Sequence, residues 1–155
     1  TAANLHIFSA MYSENAFRDF NTISGELNDN DAKSAVFSYV WSKVRTPLNT
    51  GLTLSYFENN TYFGKLGIRS AQVNLGYKFF KKKLNATTGL TYAENQLDAK
   101  DPGVQLIAML GLKYKVKKRL SINATGSVNI FSYGAERPGI SYQENLLRTS
   151  VTYKF

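Results

Sequence analysis

The sequence predicts an all-β chain of eight antiparallel, up-and-down strands, and three observations carry the prediction. Ten tyrosines and ten phenylalanines stand among many Asn, Thr, Ser and Gly, with few strong helix formers, a composition suited to strands and turns. Apolar and polar residues alternate with period two over runs of about ten residues, which sends successive side chains to opposite faces of a pleated backbone. The connections between the runs alternate between short and long.

The strand-like runs cover roughly 3 to 13, 34 to 45, 49 to 58, 67 to 79, 84 to 93, 104 to 116, 120 to 132 and 145 to 155. Thr1 leads almost directly into the first, as in a mature or trimmed chain. The fifth run sets Leu84, Ala86, Leu90 and Tyr92 against Asn85, Thr87, Gly89 and Thr91. The sixth is the clearest, with Val104, Leu106, Ala108, Leu110, Leu112, Tyr114 and Val116 in strict alternation. In the seventh, Leu120, Ile122, Ala124, Val128 and Ile130 oppose Ser121, Asn123, Thr125, Ser127 and Asn129. The eighth puts Leu147, Val151, Tyr153 and Phe155 on one face and Arg148, Ser150, Thr152 and Lys154 on the other. Tight turns are expected at 45 to 49, 81 to 83 and 117 to 119, and longer loops at about 14 to 33, 58 to 66, 94 to 103 and 133 to 144.

At 155 residues the chain reads as one domain, residues 1–155. It has no cysteine, which removes disulfides, thiolate metal sites and thiol nucleophiles. No run approaches the roughly 18 apolar residues that a spanning helix needs. The net charge is +8, a balance that suggests nucleic acid or anionic lipid as a partner. Its distribution argues against nucleic acid. All eleven acidic residues lie in or at the edges of the four expected long loops, while most basic residues lie in the short turns and on polar strand faces.

Aromatic residues sort by height as well. Tyr77, Phe79, Tyr114, Tyr153 and Phe155 fall beside the short turns, and Tyr56 and Tyr92 near the long loops. Two aromatic bands around an aliphatic middle are what amphipathic rings form at the two interfaces of a bilayer. Each run is long enough to cross one when tilted.

The closing strand, alternating up to Tyr153-Lys154-Phe155, resembles the assembly signal of bacterial outer-membrane β-barrels, carried by Leu147, Val151, Tyr153 and Phe155. The Asn, Lys and Tyr bias and the Lys-rich turns resemble barrels of the Bacteroidota in style, without a specific family motif. The resemblance implies an antiparallel up-and-down transmembrane β-barrel of eight strands in the outer membrane of a Gram-negative cell, with short periplasmic turns and longer extracellular loops at the cell surface. It also implies contact with outer-membrane lipid, with the barrel-assembly machinery during biogenesis and with other outer-membrane proteins.

Three functions follow from different classes. The first is a non-enzymatic structural or binding module that acts through its surface loops, as a subunit of a larger outer-membrane complex. The second makes these strands the C-terminal part of a larger, porin-like pore or transporter. The third is a soluble lipocalin-like barrel with its apolar side inward. The expected partner surface is the first loop, with Phe17, Phe20, Ile23 and Leu27 among polar residues. The expected lumen feature is a basic cluster, Lys78, Lys113, Lys115 and Lys154, which favours anions in a water-filled barrel.

No catalytic residue, cofactor or metal ligand is assigned. His6 is the only imidazole, and Ser9 falls on the opposite face of a regular strand, so the pair does not make a hydrolase. Asn28-Asp29-Asn30-Asp31 lacks the Gly and distal Glu of a calcium loop and reads as a solvated turn. The sequons at Asn59, Asn85 and Asn123 are set aside as chance matches.

Overall fold

The computed structural model describes residues 4–18, 29–43, 46–80, 83–98, 103–117, 119–133 and 141–153. They form eight strands, β1 (Asn4–Phe17), β2 (Asn30–Lys43), β3 (Leu48–Thr61), β4 (Gly64–Phe79), β5 (Leu84–Leu97), β6 (Gly103–Lys117), β7 (Leu120–Ser132) and β8 (Tyr142–Tyr153). All belong to one antiparallel sheet in sequence order, β1 to β8. Among the described residues no ladder joins β8 back to β1, so the sheet is open.

The registers divide β5 to β8 most cleanly between one apolar and one polar face, whereas the polar face of β1 and β2 also carries Leu5, Ile7, Met11, Val36 and Val40. Along the apolar face Phe8 pairs with Tyr39, Tyr39 with Leu52, Leu52 with Val73, Val73 with Leu90, Leu90 with Ala108 and Ala108 with Val128. On the polar face Ser9 pairs with Ser38, Ser38 with Thr53, Thr53 with Gln72 and Gln72 with Thr91. A slip of one residue anywhere would exchange the two faces of a strand, so these patterns hold the register.

The polar face is the crowded one. Among the described residues the buried ones are Gly76, Gly89, Ala93 and Gly103, and all four lie on it. A Cβ on Gly76 would overlap the Asn49 amide, one on Gly89 would lie 2.8 Å from Asn74 Oδ1, and one on Gly111 2.6 Å from Thr87 Oγ1. On the apolar face a Cβ on Gly67 would meet nothing within 4 Å. Most tellingly, a single cavity of about 520 Å³ is lined by side chains from β3 through β8. A flat sheet would spread six strands over roughly 24 Å at about 4.8 Å each. The sheet therefore curls toward its polar face and turns its apolar face outward.

The large apolar side chains are accordingly exposed: Phe8 is 66 % exposed, Leu110 55 %, Leu90 51 % and Val151 69 %. Soluble monomers rarely expose contiguous apolar patches beyond a few hundred Å². Here the band crosses every strand.

Strand lengths differ from the sequence reading. The strands reach farther at the long-loop end, so Glu14, Asp31, Glu58, Glu94 and Glu144, expected in loops, lie on β1, β2, β3, β5 and β8. Phe17 closes β1 opposite Asn30 rather than lying in a loop. The connection expected at 58 to 66 is a hairpin of Tyr62 and Phe63 alone. Asn59 and Asn60 have low strand preference, but with Thr61 they pair with Leu66, Lys65 and Gly64. Gly64 supplies the positive φ, 149°, that so tight a reversal requires. The other connections at this end span 18–29, 98–102 and 133–141, against 44–47, 80–83 and 118–119 at the opposite end.

The asymmetry of the faces yields a paired expectation. Gly111→Val places a branched side chain against Thr87 and should destabilise the fold by about 1–3 kcal/mol, as overpacking does. Gly67→Val on the open face should stay within about 0.5 kcal/mol. Urea unfolding of both variants checks the difference.

Candidate functional site

The cavity on the polar face is built from two neighbouring rows of the sheet. In one, Asn49, Gly76, Thr87, Gly111, Thr125 and Arg148 follow each other across β3 to β8. In the next, toward the long-loop end, stand Gly51, Asn74, Gly89, Met109, Ser127 and Leu146. Glycine alternates with a larger residue over the first strands of each row, so each long side chain leans over a neighbour that has none. That arrangement lets the sheet bend tightly and still leaves room above its floor.

Small polar side chains stitch this face together across the ladders. Ser13 and Ser34 share a hydrogen bond at 2.8 Å, Ser55 and Ser70 at 2.7 Å, and Ser38 and Thr53 at 3.4 Å. Gln105 donates to Asn129 at 3.0 Å, and Asn123 to Ser150 at 3.3 Å. Half-exposed polar groups on this face thus meet each other across the ladders.

Of the expected basic cluster, the structure places Lys78 and Lys113 in one row, separated by Asn85 on the strand between them. Lys115 lies two residues beyond Lys113 on the same face, opposite Ser121. Lys154 lies outside the described residues. Arg148, absent from the expected cluster, stands on the same face one row nearer the middle. Among the described strand residues the only carboxylate on this face is Glu144, four residues along β8 from Arg148. The polar face is therefore cationic toward the short turns.

Charge on the apolar face is organised differently. Tyr12, Tyr56 and Tyr92 each donate through the hydroxyl to a glutamate two residues on: to Glu14 at 3.0 Å, to Glu58, and to Glu94 at 2.8 Å. A sequence repeat, Tyr-x-Glu at 12–14, 56–58 and 92–94, marks this rim, while a fourth copy at 142–144 lies on the polar face. Basic side chains alternate with the acids: Lys33 meets Glu14 at 3.3 Å and Lys65 meets Glu58 at 2.9 Å. Below this rim lie the aromatic positions of the apolar face, with Trp41, Tyr77, Phe79, Tyr114 and Tyr153 near the short turns.

The remaining expectations fall as follows. Leu147, Val151 and Tyr153 share the apolar face of β8, opposite Gly126, Ile122 and Leu120, and Phe155 lies outside the described residues. Of the partner-loop residues, Phe17 is on β1, while Phe20, Ile23 and Leu27 lie outside the described residues. Tyr62 and Phe63, 61 % and 78 % exposed at a hairpin tip with their rings edge to face, present an aromatic surface that the sequence reading placed in an unremarked loop. His6 is on the apolar face, its Nδ1 2.8 Å from the Tyr39 hydroxyl, and Ser9 is on the other. Arg18 reaches Asp31 at 2.8 Å and Asp29 at 3.6 Å, so a guanidinium already meets the carboxylates of the acidic turn.

No protein-family profile matches the chain, and neither a curated protein nor a solved structure matches it.

Lys78 and Lys113 share a row across Asn85, with no carboxylate on it among the described residues. Lys113→Gln should raise stability by about 0.2–0.5 kcal/mol at low ionic strength. The gain should shrink as salt is raised to about 0.5 M, read from denaturant midpoints in both buffers.

Proposed function

We propose that this chain is an outer-membrane β-barrel module of a Gram-negative bacterium, with its apolar face in contact with lipid and its polar face lining the interior. It acts without catalysis, through the surface at its long-loop end, as a subunit of a larger outer-membrane complex. One observation carries the reading: the buried residues among those described lie on the polar face, and most of the large exposed apolar side chains stand on the other. A water-soluble fold buries its apolar side. The inverse is stable where the solvent is hydrocarbon.

Dimensions agree with that solvent. From Leu84 to Tyr92, which bracket the aliphatic stretch of β5, are eight residue steps, or about 27 Å along a strand. Tilted by about 40°, they span roughly 21 Å, close to the apolar band of about 25 Å on known membrane barrels. Tyrosines at one edge of that stretch and Trp41, Tyr77 and Tyr114 at the other suit the two interfaces. Beyond the upper tyrosines the charged rim falls at headgroup height.

The soluble lipocalin-like alternative needs an apolar concave face, and here the concave face is the polar one. The larger-pore alternative has a specific observation in its favour, since the outer edges of β1 and β8 are unpaired among the described residues. Either they pair with each other, or further strands stand between them.

Gel mobility separates these readings. Refolded into detergent micelles, a self-closing barrel runs as a compact band that shifts on heating. A chain that never becomes heat-modifiable belongs to a wider barrel, and a folded monodisperse chain without detergent refutes the membrane assignment. In bilayers, Leu110→Lys at mid-band should cost about 2–4 kcal/mol of folding stability, whereas Leu146→Lys on the polar face should cost under half as much.

A further inference from the structure

We propose that the cavity on the polar face binds a phosphate group, held by Arg148, Thr87 and Thr125 and flanked on the short-turn side by Lys78 and Lys113. The inference deepens the barrel reading and rests on the polar face lining an interior.

Arg148 is the one charged residue that lines the cavity. Among the described residues its guanidinium has no carboxylate partner, and Glu144 stands four residues away, about 13 Å along the strand. A guanidinium in a recess without a counterion is a site for an exogenous anion. Thr87 and Thr125 share its row, and their hydroxyls spend themselves only on long bonds to the Gly111 and Arg148 carbonyls, 3.4 and 3.5 Å. Both can rotate to donate elsewhere. Asn74 uses its Oδ1 to accept from Gln72, which leaves its two N–H donors unspent.

The two lysines flank the arrangement on the short-turn side. The next residue on the same face of β4 after Lys78, toward the cavity, is Gly76, and on β6 after Lys113 it is Gly111. Asn49 leans over Gly76 and Thr87 over Gly111, so the two lysines stand one row from the cavity floor, on its short-turn side. Cations thus stand on β4, β6 and β8, three alternate strands of a sheet curled around this space, with the lysines one row from Arg148.

That geometry selects the anion. A carboxylate offers one charge and two coplanar oxygens, which suit a single fork-shaped partner. A phosphate offers close to two charges and oxygens in three or four directions, and so satisfies donors that approach from separate strands. The cavity, at about 520 Å³, admits a small phosphorylated solute.

The test uses the whole chain refolded in uncharged detergent micelles, with folding scored by gel mobility and circular dichroism. Inorganic phosphate is titrated calorimetrically at constant ionic strength, with acetate as the comparison. The expected result is saturable binding of one phosphate, weakened about tenfold or more by Arg148→Gln and several-fold by Lys78→Gln or Lys113→Gln. Lys65→Gln, on the opposite face, should leave it unchanged, and acetate should bind at least tenfold more weakly. If R148Q does not fold, the isosteric Thr87→Val carries the same comparison with a several-fold loss. A chain that is heat-modifiable yet binds no phosphate overturns the site alone, as does R148Q or T87V binding like the parent, or acetate binding as well as phosphate. Saturable binding by a chain that never becomes heat-modifiable sustains the site and overturns the closed barrel. Absence of both overturns both.

Discussion

The direction in which the sheet curls decides everything else about this molecule. Glycines at 76, 89, 103 and 111 put their bare backbone on the polar side, where Asn49, Asn74, Phe131 and Thr87 lean into the space that a Cβ would occupy. With bulk removed from one face and retained on the other, the two sides of the sheet have unequal area. A pleated sheet answers by bending toward the smaller one. Were the glycines on the other face, the same alternation would make an ordinary apolar interior, and the serine and threonine rows would meet water.

Once the polar face is concave, its side chains satisfy one another because little else reaches them. The hydroxyl and amide pairs between β1 and β2, β2 and β3, β3 and β4, β6 and β7, and β7 and β8 are each worth about 0.5–1.5 kcal/mol at most. The same geometry separates charge. Carboxylates concentrate at the long-loop ends of strands on the convex face, where Lys33, Lys65 and Arg18 answer them, whereas the concave face keeps cations with almost no acid. The +8 of the chain is thus distributed both along the strands and between the faces.

Much of this was legible in the sequence. Period-two alternation over β5 to β8 was strong enough to fix strand number, order and the membership of each face, because one misplaced register would mix Leu110 or Leu112 with Asn123 and Thr125. The ends were not legible. Asn59, Asn60 and Thr61 look like loop residues, and Glu14, Glu58 and Glu94 look like loop charges. They pair nonetheless, because a ladder once started extends while backbone donors remain unmatched. The cavity was out of reach for another reason. Arg148 and Thr87 are 61 positions apart in the chain, and only the stacked registers of β5 to β8 place them on one row. The lysines at 78, 113 and 115 could be assigned to the polar face by parity, but parity does not say which of them flanks the cavity.

In this sheet every strand pairs only with its neighbour in sequence. Each ladder can therefore form as a hairpin, with short loops to close and little chain entropy lost before contacts repay it. Joining the outer edges of β1 and β8 is the exception, because the intervening chain is more than ten times longer than a hairpin loop. On the logarithmic dependence of loop closure this adds about 2 kcal/mol. A chain built this way zips locally and quickly, and a β1–β8 seam, where one forms, comes last. That seam is also the one place where a hairpin can be inserted or removed without disturbing any existing ladder, so lineages of such sheets can grow or shrink two strands at a time while every inherited register stays intact.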